Sequence, residues 1–102
     1  MHNNYDNLIR YEWNSSKSIH NAKKHGVTFD EAKTAFLDEH ARLVCDPEHS
    51  EEEDRFILLG LSTRLRLLVV SHCYRENDDV IRIISARKAD PFEQRQYAEF
   101  LI

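Results

Sequence analysis

Three apolar, β-rich runs succeed one another in the second half of the sequence, Arg55 to Ser62, Leu67 to Tyr74 and Val80 to Ala86, with gaps too short to hold a helix. Ser62-Thr63-Arg64-Leu65-Arg66 joins the first two, and Glu76-Asn77-Asp78-Asp79 precedes the third. Connections of that length make antiparallel hairpins, so this stretch reads as a meander. The last run carries apolar residues on both faces, the pattern of a central strand covered on each side. At 102 residues, the meander and whatever covers it share one core. The expectation is a single domain over residues 1–102, with residues 1–7 as a flexible polar extension.

Ahead of the meander the hydrophobic period differs. Leu8 to Trp13 partly alternates and is rich in strand formers, giving a short first strand ended by Asn14 and Ser15. Ser15 or Ser16 caps a helix running through Lys17, Ile19, Ala22 and Lys23 to His25, and Gly26 stands where a helix stop tolerates left-handed geometry. Thr28 and Glu31 have capping-box spacing, with Ala32, Ala35, Phe36 and Leu37 at helical intervals behind them. Arg42 to Asp46 is a short strand that Pro47 ends. After the meander, Asp90 and Pro91 open a final helix with Phe92, Tyr97 and Leu101 available for packing. The order strand, two helices, four strands, one helix defines an α+β domain: a small antiparallel sheet of about four strands plus the short N-terminal strand, with the helices against it.

The longest strongly apolar runs, Phe56 to Leu59 and Leu67 to Val70, fall far short of a bilayer span, and the first seven residues lack the basic start and apolar stretch of a signal peptide. The expected compartment is the cytoplasm. Cys45 and Cys73 lie in apolar stretches without CxxC spacing and read as small hydrophobes. His49 among Glu48 and Glu51 to Glu53 lacks a regular ligand spacing and reads as a solvated acidic loop, so no metal is expected. Neighbours in a strand face opposite ways, so His72 and Cys73 make no catalytic pair, and His72 reads as a packed strand residue. Trp13 reads as a core anchor.

The formal net charge of -4 argues against a nucleic-acid partner until its distribution is considered. Acids cluster in Glu48 to Asp54 and in Glu76 to Asp79, whereas Phe56 to Arg75 carries Arg64, Arg66 and Arg75 without an acid, and Val80 to Ala89 carries Arg82, Arg87 and Lys88. One reading is arginines capping strand edges; the other is a basic groove. Lys17, Asn21, Lys24 and His25 fall close to one side of the first helix, away from Ile19 and Ala22. Such a face either complements the negative end of the helix dipole or presents cations and an acid–base imidazole to a phosphate. At the end of the last strand, alternation puts Ser85 and Arg87 on one face and Arg82 on the other unless the strand twists or bulges. Each arginine there either binds phosphate or satisfies an acid of the final helix.

Three segments resemble the BrnT toxin family of bacterial type II toxin–antitoxin systems: Tyr11-Glu12-Trp13-Asn14 leading into Lys17, Asn21, Lys24-His25-Gly26-Val27 and Phe29; Arg55 to Gly60; and Ile81 to Ala89 with Glu93, Arg95 and Tyr97. The resemblance implies a RelE-like ribonuclease fold, an RNA target, cleavage without metal or cofactor, and consequent inhibition of translation and growth. It also implies a BrnA-like antitoxin that masks the active surface in a heterotetramer and carries the only contact with operator DNA. On this reading His25 is the acid or base, Lys24, Arg55, Arg82 and Arg87 supply phosphate contacts or transition-state charge, and Tyr97 positions the substrate. Lys17, Asn21, Arg64, Arg66 and Lys88 would bind RNA. The competing reading is a binding module of the same fold that does not cut, and what separates the two is whether His25 and the arginines converge. The polar start of the chain and the unbroken Glu51 to Asp54 run depart from the family pattern and bear on partner contacts.

Overall fold

The computed structural model describes residues 9–46, 54–77 and 79–101. The expected extension over residues 1–7, the Leu8 start of the first strand, Pro47, the acidic run from Glu48 through Glu53, and Asp78 lie outside the described residues. The elements follow the expected order: β1 (Arg10–Glu12), α1 (Ser15–His25), α2 (Phe29–Thr34) with a 3-10 turn (Ala35–Leu37), β2 (Arg42–Cys45), β3 (Arg55–Leu61), β4 (Leu67–Arg75), β5 (Val80–Lys88) and α3 (Pro91–Glu99). Among the described residues five strands form one sheet in the order β1-β5-β4-β3-β2.

The strands β2 to β5 are the antiparallel meander that the short connections dictate, but β1 runs parallel to β5, pairing Arg10, Tyr11 and Glu12 with Val80, Ile81 and Arg82. The sheet is therefore mixed. A parallel neighbour far along the chain leaves no local turn signal, whereas a hairpin does.

Caps set the helix boundaries. Asn14, not Ser15 or Ser16, caps α1: its side chain accepts from the Lys17 N–H at 3.0 Å. Gly26 closes the helix at φ +72°, its N–H donating to the Ala22 carbonyl. Thr28 caps α2 by accepting from the Glu31 N–H, but the Glu31 carboxylate turns away from the cap to Ser62 and Arg66. Asp90 and Glu93 make a complete capping box on α3, with Pro91 in its first turn.

The helical layer α1–α2 buries Val27, Phe29, Ala32 and Ala35 against Leu58, Leu68, Val70, Ile81, Ile83 and Ala86 on one sheet face. Each large side chain taken from water contributes roughly 1.5–3 kcal/mol. Trp13 meets Phe29 edge-on at a centroid distance of 6.0 Å, and fully buried His72 lies among Phe36, Phe56 and Tyr74. Gly60 permits a close approach, because a Cβ there would stand 2.8 Å from the Ala35 carbonyl oxygen. On the other face Tyr97 of α3, with Ala89 just after β5, packs over Leu59 and Val69. Tyr97 Oη donates to Asp38 Oδ2 at 2.6 Å, tying α3 to the segment before β2.

Candidate active site

The first helix supplies the site. Lys17, His20, Asn21 and Lys24 follow at intervals of three, one and three residues, so they form one stripe on α1. That stripe faces β5 beyond the end of its pairing with β1, and the space between is a cleft of about 380 Å³ lined by Ser16, Lys17, His20, Asn21, Lys24, His25, Ile84 and Ser85. Four of these are basic side chains and none is a carboxylate. Lys17, His20 and Lys24 are exposed and His25 is half-buried.

Asn21 differs from its neighbours. It is buried, its Nδ2 donates to the carbonyls of Val27 at 2.9 Å and Ala86 at 2.8 Å, and its Oδ1 accepts from the Ala86 N–H at 3.1 Å. Its amide is committed to holding α1 against β5, and so it fixes the cleft rather than reaching into it.

A β-bulge shapes the opposite wall. Ser71 pairs with Ser85 and His72 with Ile83, leaving Ile84 unopposed. The extra residue shifts the alternation, so Arg82, Ser85 and Arg87 align with Cys73, Ser71 and Val69 on one sheet face. This is the condition under which Arg82 and Arg87 share a face. That face is the one covered in part by α3, and neither arginine lines the cleft. Arg55 opens β3 opposite Cys73 in the same row as Arg82.

The arginines have protein partners. Arg87 Nη1 and Nη2 both donate to the Glu93 carboxylate at 2.8 Å, which raises the arginine above its ordinary value and holds Glu93 below the usual carboxylate range. Arg82 Nη1 donates to Glu12 on β1 at 2.9 Å. Arg66 forks onto buried Glu31 and also donates to the Gly26 carbonyl at 3.0 Å, while Arg64 stands 3.8 Å from the same carboxylate. The Arg66 hydrogen bonds chiefly keep Glu31 ionised below its ordinary range, against its burial, and Ser62 adds to them. Tyr97 is buried, and burial together with the Asp38 carboxylate pushes its phenol up to about 12. Asp38 is itself lowered: burial opposes this, but hydrogen bonds from Tyr97 and from the Leu61 and His40 N–H groups outweigh it.

The sequence-predicted residues thus fall into four places. Lys17, Lys24 and His25, with Asn21 behind them, gather in the cleft; Arg55, Arg82 and Arg87 lie on the α3 side of the sheet; and Tyr97 is bonded to Asp38 beneath α3. Arg66 and Lys88 line a second hollow at the β3–β4 hairpin, with Arg64 on its tip. Because Arg66 holds Gly26, this hairpin adjoins the His25 end of α1. Sequence reasoning passed over His20, although its place three residues after Lys17 and four before Lys24 is the signal that marks it. Nor did it pair Glu12 with Arg82, Glu31 with Arg66 or Asp38 with Tyr97, partners distant in sequence.

Fold and cleft define a small α+β domain with an exposed basic cleft suited to an anionic ligand. The family described as the ribonuclease toxin BrnT of type II toxin–antitoxin systems matches residues 13–93, and the chain belongs to that family. The 1.1 Å crystal structure of the Brucella abortus ribonuclease toxin BrnT is similar in fold, with a TM-score of 0.63 at 20% identity, covering 80% of this chain and 97% of that one. Among proteins with curated descriptions none matches the sequence. Membership of a type II family implies an antitoxin partner.

Proposed function

We propose that the chain is a metal-independent, RelE-like endoribonuclease that cuts RNA in the cleft between α1 and β5, and so inhibits translation. The observation that carries this reading is the gathering of Lys17, Lys24 and His25 on one wall of a single cleft, with no carboxylate in its lining among the described residues. Ammonium groups bind phosphate as point charges, and an imidazole moves protons near neutral pH. In the proposed reaction the RNA 2′-oxygen attacks the adjacent phosphorus, the bond to the 5′-oxygen breaks, and the products are a 2′,3′-cyclic phosphate and a 5′-hydroxyl. His25 acts as acid or base, with Lys24 and Lys17 on the phosphate.

Arg64, Arg66 and Lys88 extend the basic surface past the His25 end of α1 and would carry the flanking RNA. Arg82 and Arg87 would contribute through the donors their carboxylate partners leave over, since a guanidinium has five. Arg55 belongs to the same proposed track, and Tyr97 would act on it only by seating α3. In the cytoplasmic setting of such a system the partner would be a BrnA-like antitoxin, assembled with this chain as a heterotetramer in which the antitoxin alone touches operator DNA. One sheet carries every described strand and takes the helices on its faces, which supports reading residues 1–102 as one domain.

The arginines' position outside the cleft favours a second reading, in which the protein binds RNA without cutting it. Mapping new 5′ RNA ends within minutes of inducing the chain without antitoxin separates the two, with His25→Ala and Arg87→Ala as comparisons. New ends that disappear in folded His25→Ala support cleavage in this cleft. Ends that persist undiminished in both variants refute the site, and no new ends from the wild type support the binding reading.

A further inference from the structure

The cleft holds a second imidazole that the proposed reaction has not yet used. His20 and His25 both line it, five residues apart on α1, which is a rise of about 7.5 Å along the helix axis. Two imidazoles at that spacing can stand on either side of one phosphodiester, whose attacking and leaving oxygens lie on opposite sides of the phosphorus. Lys17 and Lys24 stand one turn before and after His20 on the same stripe, placed for the phosphate between them.

We infer that His20 is a second catalytic residue of the RNA-cleaving site, paired with His25 so that one imidazole takes a proton as the other gives one. This rests on the cleavage reading above. In the step we assign, His25 at the C-terminal end of α1 gives a proton and His20, on the stripe between Lys17 and Lys24, takes one. His20 Nε2 or Nδ1 accepts the 2′-hydroxyl proton as the 2′-oxygen bonds to phosphorus. The 5′-oxygen leaves with the proton of the His25 imidazolium. One proton enters the protein and one departs, so the step balances without a metal or co-reactant. Among the described residues the other titratable groups lining the cleft are Lys17 and Lys24 on α1; β5 contributes Ile84 and Ser85, which do not titrate in this range.

The test is the pH–rate profile of the purified full chain on a short single-stranded RNA, and on a ribonucleotide 3′-nitrophenyl phosphate whose leaving group needs no protonation. The wild type should give a bell on RNA. His20→Ala should lower the rate about 10²- to 10⁴-fold and abolish the acidic limb on both substrates. His25→Ala should abolish the alkaline limb on RNA and regain most of its rate on the nitrophenyl ester. His20→Asn should behave as His20→Ala, and His40→Asn, an exposed imidazole outside the cleft, should leave the profile unchanged. A His20→Ala protein with the wild-type rate and both limbs overturns the inference while a defective His25→Ala leaves the cleavage reading standing. Failure of the wild type to cut either substrate overturns both.

Discussion

The Asn21 amide treats β5 as a neighbouring strand would, accepting from its N–H and donating to its carbonyl at Ala86, where β1 no longer reaches. Asn21→Ala leaves those groups and the Val27 carbonyl without their side-chain partner, at a cost of roughly 1–3 kcal/mol for each buried group left unsatisfied. Denaturant unfolding should show a loss of about 3 kcal/mol, and a variant of wild-type stability would remove Asn21 from this role. Arg66 is the second residue on which much depends. Replacing it with alanine strands the buried Glu31 carboxylate, and such losses cost about 3–5 kcal/mol. His72 supplies a pH signature. Burial lowers its titration below the ordinary value of about 6.5, against a smaller opposing effect of the Val70 carbonyl. The unfolded chain therefore binds the extra proton first, so stability is complete above about pH 6.5 and declines as pH falls below it. Glu31, Asp38 and Glu93, all lowered, add their own loss only further down, below the ordinary carboxylate range. Thermal melts between pH 7 and 5 should therefore fall for the wild type and flatten in His72→Phe; equal slopes would exclude His72 as the source.

At the scale of elements, the β3–β4 hairpin closes on Thr63, Arg64 and Leu65, and Leu65 occupies the left-handed region at φ +63° while remaining exposed. A loop of this form favours glycine at that place. Leu65→Gly should stabilise the protein by about 1 kcal/mol, measured by chemical denaturation, because it removes a backbone penalty and sacrifices no buried contact. Unchanged or lower stability would mean that Leu65 has packing the exposed side chain does not reveal. The Ile84 bulge is the other decisive local feature. It puts Arg82 and Arg87 on a common face and curls the open edge of β5 beside α1. Hairpins and the Thr28 and Asp90 caps were legible in sequence because turn length and capping side chains act over a few residues, although the first helix is capped by Asn14 rather than by the serines after it. The bulge was not, since nothing in Ile83-Ile84-Ser85 marks which residue will lack a partner.

For the whole molecule, an acidic chain carries its open basic cleft on one helix, so RNA affinity should depend steeply on salt. Lys17→Gln and Lys24→Gln should each reduce the slope of log affinity against log salt by about 0.7 for single-stranded RNA, uniformly across sequences. Unchanged slopes in both variants would place the RNA elsewhere, with the sheet-face arginines the next surface to neutralise. A membrane offers no competing explanation through helices, as no described helix is long and apolar enough to cross one.

The succession of elements, the α+β class and the basic stripe on α1 could be read from the chain because period, caps and turn lengths are local properties. Family membership was legible for the same reason, being carried by short segments such as Lys24-His25-Gly26 and Ile84-Ser85-Ala86-Arg87. Only the tertiary structure decided which side of β5 each arginine takes, that β1 joins in parallel, and that Glu12, Glu31 and Glu93 engage Arg82, Arg66 and Arg87. Strand register and ion pairing between distant segments depend on how the layers dock, and a difference of one residue in register reverses every side chain beyond it.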